Sequence, residues 1–292
     1  MTEFRRVAVV GRTGSPHVVD SLNIVVSALR EAGVDLVFEA RTATMLAESD
    51  GVPRSAIGQR VNLVVVVGGD GSLLGVAREV AHTGVPVLGV NRGGLGFLAD
   101  IAPDQIVEKV AQVMAGDYTV EDRFLLAASV HRAGESLEVG VALNDVVVHA
   151  GSMSRMMDFQ LFIDDEFIYE QRSDGLIVST PTGSTAYALS AGGPILHPRL
   201  DAIEIVPMFP HTLTSRPLVV YGDSTIGVRF GDAAATPKVS CDSQVDLALS
   251  PGDEVRIVKH ADPLRLAFPI GHSFYESCRS KLDWATRLGG RR

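Results

Sequence analysis

The first third of the chain alternates between two hydrophobic periods. Short runs rich in β-branched residues, RRVAVVG, VDLVFEA, LVVVVGG and VPVLGV, predict strands, and the segments between them have helical spacing. Residues 61–67 are apolar at nearly every position, which is typical of a strand buried on both faces. These features predict a parallel, Rossmann-like α/β sheet with residues 61–67 near its centre.

The segment after Pro16 shows the clearest helical stripe. Apolar residues recur there at intervals of three and four positions, and a glycine follows where a helix C-terminus favours one. The residues concerned are Val18, Leu22, Val25, Val26, Leu29 and Gly33. We therefore predict one amphipathic helix in this segment.

From Tyr118 onward, short apolar segments follow one another with little room for helices. FQLFI and FIYEQ are separated by the acidic residues 164–166, a connection short enough for a hairpin. Strands packed without crossovers predict a β-sandwich. Helical spacing returns in the last segment, through Phe274, Cys278, Leu282 and Trp284, and packing back on the first domain is one option for it. The expected domains are 1–118 (α/β), 119–272 (sandwich) and 273–292 (helix and tail).

Composition narrows the class of protein. A chain of 292 residues with 46% hydrophobic and 21% charged residues is expected to fold as two globular domains. The net charge of −9 disfavours nucleic-acid binding. No segment approaches the roughly 20 apolar residues of a membrane span. With only two cysteines, Cys241 and Cys278, we expect no disulfide framework and a cytoplasmic location.

The strongest chemical signal is VNLVVVVGGDGSLL, in which a strand, a glycine turn and a helix follow in order. Glycines let a ligand approach the backbone, and the N–H groups of a helix N-terminus bind phosphate. Asp70 is the one ionisable side chain, at the carboxyl end of a strand where α/β sheets bind ligands. An Asp70 that caps the helix or forms an Asx turn would explain the motif equally well.

A second glycine loop, VNRGGLGFL, follows the next strand, so two neighbouring strands end in glycine turns at one sheet edge. By itself this loop would be a tight connection that needs positive φ angles. No GxxxxGK[ST] phosphate loop occurs, and no GxGxxG pattern follows a strand. The chain is therefore neither a P-loop enzyme nor an ordinary dinucleotide dehydrogenase.

Two further motifs lie in the β-rich half. In LNDVVVH, Asn144 and Asp145 can hydrogen-bond ribose or adenine, although such a pair is more often a turn. In QRSDGLIVSTPTGSTAYALSAGGPILHP, small polar residues crowd a long segment, and a bound ligand would explain the cost of ordering them. Its candidate ligand contacts are Thr182, Ser184, Thr185, Arg172 and Asp174.

Other features favour structural explanations. The eight histidines show no zinc-site spacing. The run Asp164, Asp165, Glu166 could bind a metal, but acidic hairpin tips are commonly solvated. Cys241 could be a reactive thiol beside Asp242, although buried inert cysteine is the commoner case.

The motifs GGDGS, NRGGLGF, LND, SDGLIVSTPTGSTAYALSAGGP, MFPHTL and SCDSQ occur in the order found in NAD kinases, and the chain resembles that family, in its bacterial type, over nearly its full length. The long fourth motif is specific, whereas GGDG also occurs in lipid kinases and phosphofructokinases. The resemblance implies an N-terminal α/β domain, a C-terminal β-sandwich and phosphorylation of the 2′-hydroxyl of the adenosine ribose of NAD.

The same resemblance implies roles for individual residues. It makes Asp70 the general base and places Gly71 beside the ligand. It also implies a set of residues around the dinucleotide: Asn144, Asp145, Arg155, Arg172, Asp174, Thr185, Ala186, Tyr187, Ala188, Leu189, Ser190 and Gln244.

The expected ligands are NAD and ATP, with Mg²⁺ arriving on the donor phosphates rather than at a metal site of the protein. A homodimer or homotetramer is also implied by the resemblance. Some relatives have a charged residue where this chain has Leu74 and Gly75, so the donor could be ATP, another nucleoside triphosphate or polyphosphate. Two alternatives stay open: a lipid kinase of the diacylglycerol type, which would need an apolar acceptor cleft, and a catalytically silent NAD-sensing module.

Overall fold

The chain folds into two compact units in a computed structural model that describes residues 3–14, 16–92, 96–151, 156–230, 237–282 and 284. The first unit combines Met1–Asp122 with Leu264–Arg292, and the second comprises Arg123–Pro263.

The strands and helices are numbered in chain order. The strands of the described residues are β1 (Arg6–Gly11), β2 (Asp35–Glu39), β3 (Gly51–Val52), β4 (Leu63–Gly68), β5 (Val87–Asn91), β6 (Tyr118–Arg123), β7 (Leu126–Arg132), β8 (Glu135–Ala142), β9 (Asp145–His149), β10 (Met157–Ile163), β11 (Glu166–Ser173), β12 (Gly175–Ser179), β13 (Ala202–Met208), β14 (Leu218–Tyr221), β15 (Ile226–Phe230), β16 (Lys238–Cys241), β17 (Val245–Ala248), β18 (Glu254–Lys259) and β19 (Leu264–Pro269). The α-helices are α1 (Pro16–Glu31), α2 (Ala40–Leu46), α3 (Asp70–Val80), α4 (Ile106–Met114), α5 (Tyr187–Ser190) and α6 (Phe274–Lys281).

The first unit is built on a seven-stranded sheet in the order β3-β2-β1-β4-β5-β19-β6. The neighbours from β3 to β19 pair in parallel. The chain moves outward from β1 to β2 and β3, and then returns to the other side of β1 with β4 and β5. The gap between the carboxyl ends of β1 and β4 is therefore a topological switch point, where open α/β sheets bind ligands.

Local sequence explains the centre of this unit. Every residue of β4 is buried, as expected of a strand that is covered on both faces. The predicted stripe of α1 is buried throughout, and Gly33 has the positive φ of 72° that a helix C-terminus favours in glycine. The predicted helix and the predicted central strand are both confirmed.

The second unit contains two antiparallel six-stranded sheets, in the orders β11-β10-β15-β18-β7-β8 and β14-β13-β12-β9-β16-β17. One core cluster draws side chains from both sheets, including Leu126, Phe159, Leu176 and Ile205. This is the predicted sandwich. The predicted hairpin is β10–β11, and it turns through Asp164 and Asp165, which both have positive φ.

The chain returns to the first sheet at a point that differs from the expected boundary. Residues 264–272 were expected to belong to the sandwich, but β19 pairs in parallel with β5 and lies between β5 and β6. Arg265 is the one exposed residue of β19, so this strand is covered on both faces inside the sheet, and it was not predicted from the sequence. Helix α6 belongs to the same unit, where the rings of Phe274 and Phe97 lie 6.4 Å apart.

Candidate functional site

The glycine turn after β4 leads directly into α3, at the topological switch point. Gly69 is the N-cap residue, with extended backbone (φ −114°, ψ −175°), and Asp70 is the first helical residue. A negative side chain in the first turn interacts favourably with the helix dipole. A side chain on Gly68 would clash with Ser72, because a Cβ there would lie 2.4 Å from the Ser72 hydroxyl oxygen. The turn therefore requires glycine at this position.

The Asp70 carboxylate is bound by the second glycine loop. Its two oxygens accept hydrogen bonds from the backbone N–H groups of Phe97 (2.7 Å), Leu98 (3.1 Å) and Ala99 (3.1 Å). Asp70 follows the N-cap residue Gly69, so its carboxylate does not cap the helix. It joins the two glycine loops instead. A carboxylate has about four lone-pair positions, so three donors leave one for a further partner.

The two glycine loops are also joined through their backbones. The backbone N–H of Arg92 donates to the carbonyl of Gly68 at 2.6 Å, and the backbone N–H of Asn91 donates to the carbonyl of Ile101. Gly96 lies against Asp70, since a Cβ at Gly96 would be 1.9 Å from the Asp70 Oδ1 atom. Residues 93–95 of this loop lie outside the described residues. The described part shows that the predicted pair of loops meets at one sheet edge.

In the second unit, the LND motif forms the turn between β8 and β9, and the carboxylate of Asp242 holds this turn in place. Asp242 accepts hydrogen bonds from the backbone N–H groups of Leu143 (2.9 Å), Asn144 (2.8 Å) and Asp145 (3.3 Å). The Asn144 side chain is left half-buried, whereas Asp145 is only 4% exposed. Burial, and then the charge of Asp242, raise the pKa of Asp145 to about 7.

Asp242 is a functional candidate that the sequence did not single out. The sequence indicates Asp242 as a neighbour of Cys241 and as part of the SCDSQ motif, without a role of its own. The Cys241 thiol is fully buried. The φ of +50° at Asp242 lies in the left-handed region, which aspartate enters more readily than most residues other than glycine, and is typical of a residue in a tight turn. An aspartate between two short strands in SCDSQ is the one sequence signal that could have indicated it.

The serine- and threonine-rich segment after β12 is folded onto the LND turn by its own hydroxyl groups. Thr180 Oγ1 donates to the carbonyl of Leu143 at 2.6 Å and accepts from the N–H of Gly183. Ser184 Oγ donates to the carbonyl of Pro181 and accepts from the N–H of Leu196. Ser184 is fully buried, so this hydroxyl, a candidate ligand contact in the sequence, serves the loop itself.

The remaining predicted dinucleotide contacts differ in exposure. Tyr187 and Ser190 are exposed, and Thr185, Ala186 and Leu189 are half-buried. Ala188 is fully buried in a small cluster with Val147, Ile177, Val206 and Met208. Gln244 and Arg172 are exposed, and Arg172 forms a long ion pair of 3.9 Å with Asp158. Arg155 lies outside the described residues.

Asp174 and Tyr187 meet at a cavity of about 660 Å³ within the second unit. Its other lining side chains are partly apolar and partly polar: Val147, Met208, Phe209, His149, Ser240 and Ser243. Burial lowers the pKa of His149, which favours the neutral imidazole. A mostly apolar cleft with a few polar groups is typical of a site for a small organic ligand.

The part of the chain that the structure describes contains neither a metal-binding cluster nor a membrane-spanning helix. That part contains no group of three or more His, Cys, Asp or Glu side chains arranged to hold a metal ion. None of its helices is both long enough and apolar enough to cross a membrane.

The chain matches known proteins along nearly its whole length. Residues 7–118 match the model of the ATP-NAD kinase N-terminal domain, and residues 143–267 match that of the ATP-NAD kinase C-terminal domain. The NAD kinase of Pseudomonas putida (strain W619) is 51% identical over 100% of this chain and 99% of the relative. The NAD kinase of Marinobacter nauticus is 52% identical over 99% of both chains.

Solved structures agree with this match. The yeast NADH kinase, solved with NADH, superposes with a TM-score of 0.87 at 24% identity and covers 99% of this chain and 89% of its own. An NAD kinase from Archaeoglobus fulgidus, solved with ATP, gives a TM-score of 0.74 at 25% identity and covers 95% of this chain and 97% of its own. Since both family models and full-length relatives at about half identity agree with the fold, this chain belongs to the NAD kinase family.

Proposed function

We propose that this protein transfers the γ-phosphoryl group of ATP to the 2′-hydroxyl of the adenosine ribose of NAD. The observation that supports it most directly is Asp70, an ionisable side chain at the switch point of a parallel sheet, held in one orientation by three backbone N–H groups. Membership of the family and the relatives named NAD kinase support the same reaction.

Asp70 acts as the general base in this proposal. An alcohol is a poor nucleophile at neutral pH, so a carboxylate that accepts its proton helps the oxygen attack. The 2′-OH proton moves to the Asp70 carboxylate and the ribose oxygen bonds to the γ-phosphorus. The bond from that phosphorus to the bridging oxygen of ADP breaks, and ADP leaves with its electron pair. No phosphorylated form of the protein is needed.

The ribose and amide groups of NAD are recognised in the second unit. We assign this role to the half-buried Asn144, to the cavity beside Asp174 and Tyr187, and to the segment around Thr185. Asp242 holds the LND turn, and Thr180 joins that turn to the segment after β12, which keeps the unbound site close to its binding geometry. A preorganised site loses less entropy when its ligand binds. The other implied contacts, Arg155, Arg172 and Gln244 among them, remain part of this proposal.

Mg²⁺ fits this site as a companion of ATP. Mg²⁺ at such sites keeps several water ligands and is bound largely through substrate phosphates, so it would arrive with ATP and leave the last lone-pair position of Asp70 to the substrate hydroxyl. When bound, Mg²⁺ would neutralise charge on the donor phosphates. The positive end of the α3 dipole would further favour the donor phosphates.

Two attributes complete the proposal. We propose a homo-oligomer, by analogy with the family. We also propose a cytoplasmic location, which is supported by two buried thiols, Cys241 and Cys278, that form no disulfide with each other.

The experiment is an NADP-formation assay with purified protein, NAD, ATP and Mg²⁺, run beside the variant Asp70→Asn. General-base assistance contributes about 10²–10⁴-fold, so we expect the variant to lose at least 100-fold in kcat. Calorimetric titration should show that it still binds NAD. NADP formation at near-normal rate by Asp70→Asn would disprove the assignment of the base. Binding of NAD without NADP formation, with ATP or polyphosphate as donor, would favour a sensing module instead.

A further inference from the structure

Helix α6 places a buried ammonium group beside the loop that holds Asp70. The Nζ atom of Lys281 lies 4.1 Å from the centroid of the Phe97 ring. This nitrogen is buried and, within the described part of the chain, has no hydrogen-bond partner. Burying an ammonium group without hydrogen bonds is costly, so its surroundings must compensate.

Phe97 links this ammonium group to the proposed base. Its backbone N–H donates the shortest of the three hydrogen bonds to the Asp70 carboxylate, at 2.7 Å. Its ring contacts α6 twice, through the Lys281 ammonium and through the ring of Phe274 at 6.4 Å. One residue of the Asp70-binding loop is therefore held in place by helix α6.

Charge near Lys281 supports the same arrangement. Burial lowers the pKa of Lys281, while the negative charges of Asp70 and Asp100 act in the opposite direction. Asp100, one residue beyond the loop, also binds the His272 ring at 2.7 Å. These carboxylates offset part of the cost of burying the ammonium group, although burial dominates and the pKa of Lys281 stays below its ordinary value.

We propose that Lys281 is a positioning residue for Asp70: its cation–π contact with Phe97 and its charge hold residues 97–99, and through them the carboxylate, in the orientation that accepts the substrate proton. This rests on the proposed function for its effect on rate. A cation over an aromatic face is attracted more strongly when the cation is desolvated, and the Lys281 nitrogen is buried here.

The first test compares two variants that remove a cation from the same helix. Lys281→Met keeps the length of the side chain and removes its charge, and Arg279→Met removes an exposed cation. We expect Lys281→Met to lower kcat by about tenfold or more, a part of the 10²–10⁴-fold ascribed to the base, with less than about twofold change in KM for NAD and ATP. Lys281→Arg should restore most of kcat, because an arginine also binds an aromatic face.

Coupling to Asp70 is the second part of the test. If Lys281 acts through Asp70, Lys281→Met should have little further effect on kcat in the Asp70→Asn background, where the base is already lost. Additive losses, or equal losses from Arg279→Met, would overturn the proposal. A rise in KM with kcat unchanged would also overturn it.

A readout that does not depend on activity separates this inference from the proposed function. Hydrogen–deuterium exchange of the peptide that contains residues 97–99 should speed up in Lys281→Met and in Asp70→Asn, and stay at the wild-type rate in Arg279→Met. If the wild type makes no NADP but this pattern appears, the positioning contact stands and the proposed reaction fails. Unchanged exchange in Lys281→Met would disprove the positioning role whatever the activity.

Discussion

The geometry of Asp70 depends on a single glycine. A Cβ on Gly96 would lie 1.9 Å from the Asp70 Oδ1 atom, far inside van der Waals contact. We predict that Gly96→Ala displaces the carboxylate and lowers kcat for NADP formation by about 100-fold, because a shift of about 1 Å can cost that much. Its thermal unfolding should stay cooperative.

A matched control for this change is Gly227→Ala on β15. The nearest atom to a Cβ there is 3.4 Å away, an ordinary contact, so kcat should stay close to the wild-type value. If Gly96→Ala keeps wild-type kcat, catalysis does not depend on the position of the Asp70 carboxylate.

Asp242 should affect NAD binding although it is buried. Asp242→Asn removes one of the two carboxylate oxygens that bind the backbone of residues 143–145. We predict a rise of about tenfold in the Kd for NAD, since loss of a charged hydrogen bond costs about 1.5–3 kcal/mol, part of it in binding. The pKa of Asp145 should also fall below about 7, because the charge of Asp242 helps to raise it.

Calorimetric titration of NAD and carboxyl-carbon NMR of Asp145 would check both effects. The matched control is Asp262→Asn, which makes the same chemical change at an exposed aspartate of the same unit outside the proposed NAD site. An Asp242→Asn protein with wild-type affinity and an unchanged Asp145 titration would show that the three hydrogen bonds do not organise the NAD site.

At the residue scale, the sequence predicts those functional residues that are identified by their immediate neighbours in the chain. Asp70 follows a buried strand and a glycine turn, and both are visible as letters. The hydrogen bonds that hold the Asp70 carboxylate come from residues 97–99, and they depend on how distant segments pack. The same is true of Asp242, which binds residues that precede it by almost 100 positions. Lys281 belongs to the same class, since nothing in the sequence around it indicates a partner at Phe97.

Helices and strands follow the same rule: those specified by nearby residues are predictable, and those specified by pairing with distant segments are not. The period of the α1 segment and the apolar run of β4 specify which faces are buried, and both elements form as predicted. The hairpin β10–β11 follows from a short polar connection. In contrast, nothing local in Leu264–Pro269 specifies a sheet, so the return of this strand to the first sheet could not be predicted from the sequence.

Strand β13 contains a carboxylate whose burial makes stability depend on pH. Glu204 is fully buried beneath Gly193, and within the described structure its side-chain oxygens have no hydrogen-bond partner. Burial raises the pKa of Glu204 from 4.5 to about 7. Because the folded-state pKa is the higher one, the unfolded chain loses its proton first as the pH rises. The free energy of unfolding therefore falls as the pH rises from about 4.5 to about 7, and it stays lower above that range.

The variant Glu204→Gln has a similar shape and does not titrate. We predict that it gains stability relative to wild type between pH 5 and pH 8, by at most about 3 kcal/mol, in urea unfolding monitored by circular dichroism. Asp145 titrates in a similar range and stays present in both proteins, so the comparison isolates Glu204. A difference between the two proteins that is constant with pH would contradict the raised pKa.

At the scale of the whole molecule, the second unit is inserted into the first. The chain leaves the first unit at Asp122 and re-enters it at Leu264, and β19 then lies between β5 and β6. Composition and length predict two domains, but the order in which the chain visits them depends on one parallel pairing between distant strands. Each unit has its own core, one in the sandwich and one around the parallel sheet.

This connectivity predicts how fragments of the chain behave. Residues 123–263 contain both sheets of the sandwich and should unfold cooperatively in urea when expressed alone. Residues 1–122 lack β19, so β5 and β6 lose their shared neighbour and this fragment should show no cooperative transition. Joining residues 1–122 to 264–292 through a short glycine–serine linker should restore one, because it supplies the missing strand. Cooperative unfolding of residues 1–122 alone would show that β19 is not needed for the first unit to fold.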